Sequence, residues 1–155
     1  MIAARIRESV GAGKTRLVVA VAAAAFVAAA SPASASTDDG FAAVTTPASA
    51  DGVNCGAAFF IDYGPGAEGG GDNDDYVYIV DACGDSHGVK AWAWNGSKLL
   101  GSKYLGTGAS THTVWDPFPN VVPGELVGLK VCLVDGSNDQ TPFQCGTASH
   151  RSVDG

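Results

Sequence analysis

The stretch Asp75–Trp94, DYVYIVDACGDSHGVKAWAW, constrains the fold more than any other. Tyr76-Val77-Tyr78-Ile79-Val80 is aromatic and β-branched, which suits a pleated surface buried on one side. Cys83-Gly84-Asp85-Ser86-His87-Gly88 is turn chemistry: glycine takes positive φ, and short Asp and Ser side chains bond nearby backbone. Val89–Trp94 then alternates Val89, Ala91 and Ala93 with Lys90, Trp92 and Trp94. Two strands joined by a polar turn are the expectation.

The N-terminus reads as a secretory leader. Arg5, Arg7, Lys14 and Arg16 precede the charge-free run 17–30, LVVAVAAAAFVAAA, and Ala33-Ser34-Ala35 supplies small residues for cleavage after Ala35. That run is too short for an ordinary transmembrane span. Gly11-Ala12-Gly13-Lys14-Thr15 imitates a phosphate-binding loop, but Glu8 stands where the motif needs its first glycine. The expected division is a signal peptide over 1–35, a flexible mature N-terminus over 36–53 (at most ending in an edge strand), and a folded domain over 54–155. The expected localisation is extracellular, with no membrane span in the mature chain.

Removing the leader changes the charge argument. The whole chain has nine basic and sixteen acidic residues; the leader holds four of the first and one of the second. Five basic residues against fifteen acids remain, a net charge of −10. Such a chain repels nucleic acid and anionic membrane, and its charge should favour cationic or neutral partners.

From Asn54 onward, short apolar segments alternate with Gly and Pro turns. The expected strands are 57–63, 75–82, 89–95, 98–105, 110–115, 126–135 and 143–153. Asn95-Gly96 predicts a type I′ hairpin turn, while Pro117, Pro119 and Pro123 exclude a central strand between Asp116 and Gly124. No helical stripe occurs beyond the leader. About seven strands predict an all-β chain, a single antiparallel Ig-like β-sandwich, with a small β-barrel as the alternative.

Four cysteines in an exported chain read as two disulfides. Alternation puts Cys55 on the face of Phe59 and Ile61, and Cys83 on that of Val77 and Ile79, so Cys55–Cys83 is the favoured pair. Cys132 and Cys145 flank a polar loop and should staple a hairpin. No cysteine pair has zinc-ligand spacing. Asp72-Asn73-Asp74-Asp75 offers oxygen ligands suited to Ca²⁺, but it fails the helix–loop–helix calcium pattern, matches the glycine–aspartate repeat of β-rolls only in part and in one copy, and reads as a solvated acidic turn. The expectation is no metal and no cofactor.

Tyr76 and Tyr78 share one strand face, and Trp92 and Trp94 share another. These four are the candidate ligand-binding residues, a flat aromatic platform for sugar rings or a protein partner's apolar anchor. The competing reading places the tryptophans in the core. His87, His112 and His150 lie in separate segments, and no nucleophile motif accompanies them. A non-enzyme is therefore expected.

The segments Ala33-Ser34-Ala35, Gly88–Trp94 and Val127–Cys132 resemble those of small secreted two-disulfide proteins of high-GC Gram-positive bacteria. That resemblance implies an extracellular location and no established activity. The chain is also similar in architecture to small amylase inhibitors, although Trp92-Ala93-Trp94 lacks the central basic residue of their exposed triplet. The expected function is a secreted, non-catalytic binding or cell-surface protein that uses an aromatic sheet face. Its expected partner is a carbohydrate, a cell-wall component or an extracellular protein. The alternative is an inhibitor of a secreted hydrolase, presenting the proline-rich loop Thr113–Pro123.

Overall fold

Eight strands make up the regular structure of the described residues, 39–47, 52–68 and 70–153 of this computed structural model. They are β1 (Asp39–Val44), β2 (Gly56–Asp62), β3 (Asp75–Asp81), β4 (Gly88–Asn95), β5 (Lys98–Leu105), β6 (Thr111–Trp115), β7 (Leu126–Val134) and β8 (Phe143–Arg151). The expected leader, 1–35, lies outside the described residues. No helix among the described residues is long and apolar enough to cross a membrane.

The strands form two antiparallel sheets, sheet A in the order β1-β2-β3-β6 and sheet B in the order β5-β4-β7-β8. Neither sheet closes into a barrel. The chain changes sheets after β3, after β5 and after β6, the crossing pattern of an Ig-like sandwich with β1 added beside β2.

Alternation explains the packing. Ala58, Phe60, Val77 and Ile79 of sheet A turn inward, facing Val89, Ala91, Ala93, Leu129, Val131 and Leu133 of sheet B. Each large side chain among them contributes about 1.5–3 kcal/mol by leaving water. The segment between β6 and β7 forms no strand, as its prolines require. It adds Phe118 and Val121 to the core. Phe118 meets Phe60 edge-on at 5.2 Å, and the Val121 amide donates to the buried Asp75 carboxylate at 2.7 Å.

Three local expectations change. Within the segment 36–53, residues 39–44 form β1, paired along its whole length with β2. This strand also bridges the sheets. Thr46 N donates to the Gln144 carbonyl at 3.0 Å, and Val153 N donates to Asp39 at 2.7 Å. A side chain at Gly146 would collide with the Val44 carbonyl, so only glycine permits that approach.

The hairpin turn between β4 and β5 is shifted by one residue. Asn95 pairs with Lys98, leaving Gly96 and Ser97 at the centre. Of these two, only Gly96 has positive φ, 58°, which is the type II′ pattern.

Both expected disulfides are present, Cys55–Cys83 and Cys132–Cys145. The parity argument for the first fails: Phe59 is exposed and its neighbours Ala58 and Phe60 are buried. Cys55 precedes β2 and Cys83 follows β3, so the bridge clamps the sheet end instead of continuing either alternation. Cys132–Cys145 spans an irregularity between β7 and β8 at which Gln144 takes φ 48°.

Candidate functional site: the outer faces of the two sheets

The four aromatic residues singled out from sequence occupy opposite outsides of the sandwich. Tyr76 and Tyr78 alternate with buried Val77 and Ile79 and face outward from sheet A. Trp92 and Trp94 alternate with buried Ala91 and Ala93 and face outward from sheet B. Each pair shares a face, and the two pairs do not form one platform. All four are half-buried, neither core residues nor free in solvent.

The outward side of sheet A extends well beyond its tyrosines. Register places Ala42, Phe59, Tyr78 and Val114 in one row across the strands. Val44, Ala57, Val80 and His112 form the next row, and Gly40, Ile61 and Tyr76 a third. None of these eleven positions holds Asp, Glu, Lys or Arg. Tyr78 stacks on His112 with ring centres 4.8 Å apart. Gly40 leaves open a groove of about 400 Å³ walled by Ala42, Phe59, Ile61 and Tyr63. Burial pushes the Tyr76 phenol above its usual range, and the neighbouring Tyr63, Glu68 and Tyr78 add to the shift.

The four acids of these strands take inward parity at strand ends. Asp62 stands opposite Asp75 in the β2–β3 register, and both are buried. Ser152 Oγ donates to Asp62 at 3.2 Å. Carboxylate oxygens of Asp62, Asp74 and Asp75 lie within 4.8 Å of one another, a spacing that would suit a hard cation. The acidic loop read from sequence thus contributes Asp74 and Asp75 to this cluster, while Asp72 is exposed.

Sheet B presents different chemistry. Lys130 lies directly across from Trp92, followed by Thr147, with Ser102 on the other side. The ammonium groups of Lys90 and Lys130 lie 5.5 and 5.2 Å from the Trp92 ring centre, within range of a cation–π attraction. Trp94 faces Gly128, which offers no side chain, and Ser149 lies beyond it.

His87 Nδ1 meets Asp135 Oδ1 at 2.6 Å and its ring packs edge-on against Phe143 at 4.9 Å. The pair ties the β3–β4 turn to the β7–β8 loop. In that loop Asp139 accepts from the amides of Asp135 and Thr141, which hold its carboxyl below the usual range; the Thr141 hydroxyl and Lys90 act in the same direction. A recess of about 160 Å³ adjoins His87, beneath Tyr104.

Sequence reasoning missed Phe59, Ile61 and Tyr63, and assigned the first two to the core. Outward Ala57, Phe59 and Ile61 are more apolar than inward Gly56, Ala58, Phe60 and Asp62, so composition pointed the wrong way. The Phe59-Phe60 doublet was the available signal, because adjacent strand residues face opposite ways. No family model, curated protein or solved structure matches this chain.

Proposed function

We propose that this is an exported, non-catalytic binding protein whose working surface is the outer face of sheet A, docking an apolar region of an extracellular protein. The observation that carries this reading is the lack of any charged side chain at the outward positions of four strands in so acidic a chain. Phe59 and Tyr63 remain 38% and 47% exposed there, although solvent-facing sheet sides are normally polar. Stiff aromatic side chains lose little entropy when a partner orders them, which favours their use as anchors. Export is supported by the leader-like N-terminus and by the two disulfides.

The inhibitor reading has weaker support. Its loop turns Phe118 and Val121 into the core and leaves Pro119, Asn120, Val122 and Pro123 outside. A photocrosslinking residue at position 59, compared with one at Ser97 in the β4–β5 turn, tests the proposal in the producing culture. A protein adduct specific to position 59 is expected. No adduct, or equal adducts at both positions, would count against it.

A further inference from the structure

Every basic residue after position 35 lies in a strand of sheet B: Lys90 in β4, Lys98 and Lys103 in β5, Lys130 in β7 and Arg151 in β8. Those four strands contain no Asp or Glu. The strands of sheet A hold four acids and no Lys or Arg. By register Lys90, Lys130 and Arg151 take outward parity, whereas Lys98 and Lys103 pair with Asn95 and Ala91 of the inward set. The outer face of sheet B therefore carries three cations and no carboxylate from its own strands. Screening in physiological salt cuts interactions off beyond roughly 8–10 Å, so a ligand on sheet B experiences the nearby ammonium groups more than the acids of sheet A; Asp139 of the β7–β8 loop lies near Lys90, which leaves Lys130 the freer cation. On this face the local charge differs in sign from the net charge on which the expectation of cationic or neutral partners rests.

The aromatic residues stand on that same side. Trp92 and Trp94 are successive outward residues of β4, about 7 Å apart along the strand. Two lysine ammonium groups flank the first ring. Gly128 leaves the second ring open on the β7 side while exposed Leu99 adjoins it on the β5 side, and the hydroxyls of Ser102, Thr147 and Ser149 edge the pair. Flat rings match the C–H faces of sugars, hydroxyls match sugar hydroxyls, and ammonium groups match carboxylates.

We propose that the outer face of sheet B binds an acidic polysaccharide built of uronic-acid sugars, which stack on Trp94 and Trp92 and place a carboxylate on Lys130. A neutral glycan would offer the Lys130 ammonium no carboxylate. Nucleic acid also offers anions and flat rings, and the oligothymidylate arm of the titration separates it from an acidic glycan. The site is separate from the face of sheet A and stands or falls independently of it.

The test is a titration of the purified protein with an oligogalacturonate, its fully methyl-esterified form and an oligothymidylate. Lys90 also donates to the Ser137 carbonyl at 2.8 Å, so Lys130 is the cleaner residue to change. The acidic oligomer should bind saturably, with esterification and Lys130→Gln each weakening it about tenfold or more, and Lys130→Arg restoring most of the affinity. Val53→Ser, at an exposed position outside both sheets, should leave it unchanged. Thermal midpoints confirm that each variant is folded. Equal affinity for the esterified oligomer, an unaffected Lys130→Gln, tighter binding of oligothymidylate, or no binding of the acidic oligomer would each overturn the proposal.

Discussion

Gly146 of β8 lies so close to Val44 of β1 that an added Cβ would collide with the Val44 carbonyl oxygen. This contact lets one strand pair with β2 and still lie against the far edge of sheet B. The end strand therefore completes the sandwich, and the outward rows of sheet A gain Gly40, Ala42 and Val44 from it.

Gly146→Ala should destabilise the fold by about 3 kcal/mol, since the obstruction is backbone and cannot rotate away. Denaturant unfolding measures the loss. Hydrogen exchange at the Thr46 amide, which donates to Gln144, should accelerate before exchange in β3 or β7. A stability equal to that of the parent would contradict this role of the contact.

Removing a disulfide should cost about 3 kcal/mol, with Cys55–Cys83 worth slightly more than Cys132–Cys145. The loops closed span 28 and 13 positions, and the longer one constrains the unfolded chain more. Paired Cys→Ala variants compared by denaturant midpoint check both the size and the order.

Burial holds the Asp81 carboxyl above the usual carboxylate range; the Cys83 amide opposes that shift, and the nearby Asp85 charge adds to it. A folded-state value above the unfolded one means that ionised Asp81 opposes folding at neutral pH. The opposition is relieved as pH falls through the folded value. Asp81→Asn keeps an acceptor for the Cys83 amide and should be neutral to stabilising at pH 7. Its stability should also rise less than the parent's between pH 7 and the acid range. An unchanged pH slope would show that another carboxyl is responsible.

Tryptophan emission should separate by position. Trp115 packs against the core, whereas Trp92 and Trp94 face outward and are half-buried. Trp115→Phe should remove the bluest component and leave emission that acrylamide quenches readily. Trp92→Ala should cost about 1–2 kcal/mol, between the values typical of surface and core sites.

Strand positions were legible where one face was plainly apolar and the other was not, as in β3 and β4. They were misleading in β2, where the solvent side carries Phe59 and Ile61 and the inner side ends in Asp62. That aspartate is tolerated because Ser152, ninety residues away, supplies a hydrogen bond, a relationship no local window contains. β1 was not legible as part of the domain because Asp39–Val44, DGFAAV, has a single large apolar residue, and its partners lie in β2 and β8. The cationic side was hidden for a topological reason. Lys90, Lys130 and Arg151 are scattered in sequence, and strand order and register together collect them on one face.

The central claim, that the outer face of sheet A is the working surface, is tested most directly with a crosslinker at Val114, directly across from Tyr78. The measurement is the yield of protein adduct in the parent and in the double variant Phe59→Lys/Tyr78→Lys. The account predicts an adduct in the parent that disappears in the double variant, with a thermal midpoint lowered by no more than about 4–8 °C. An adduct that persists in the folded double variant, or none in the parent, would contradict it.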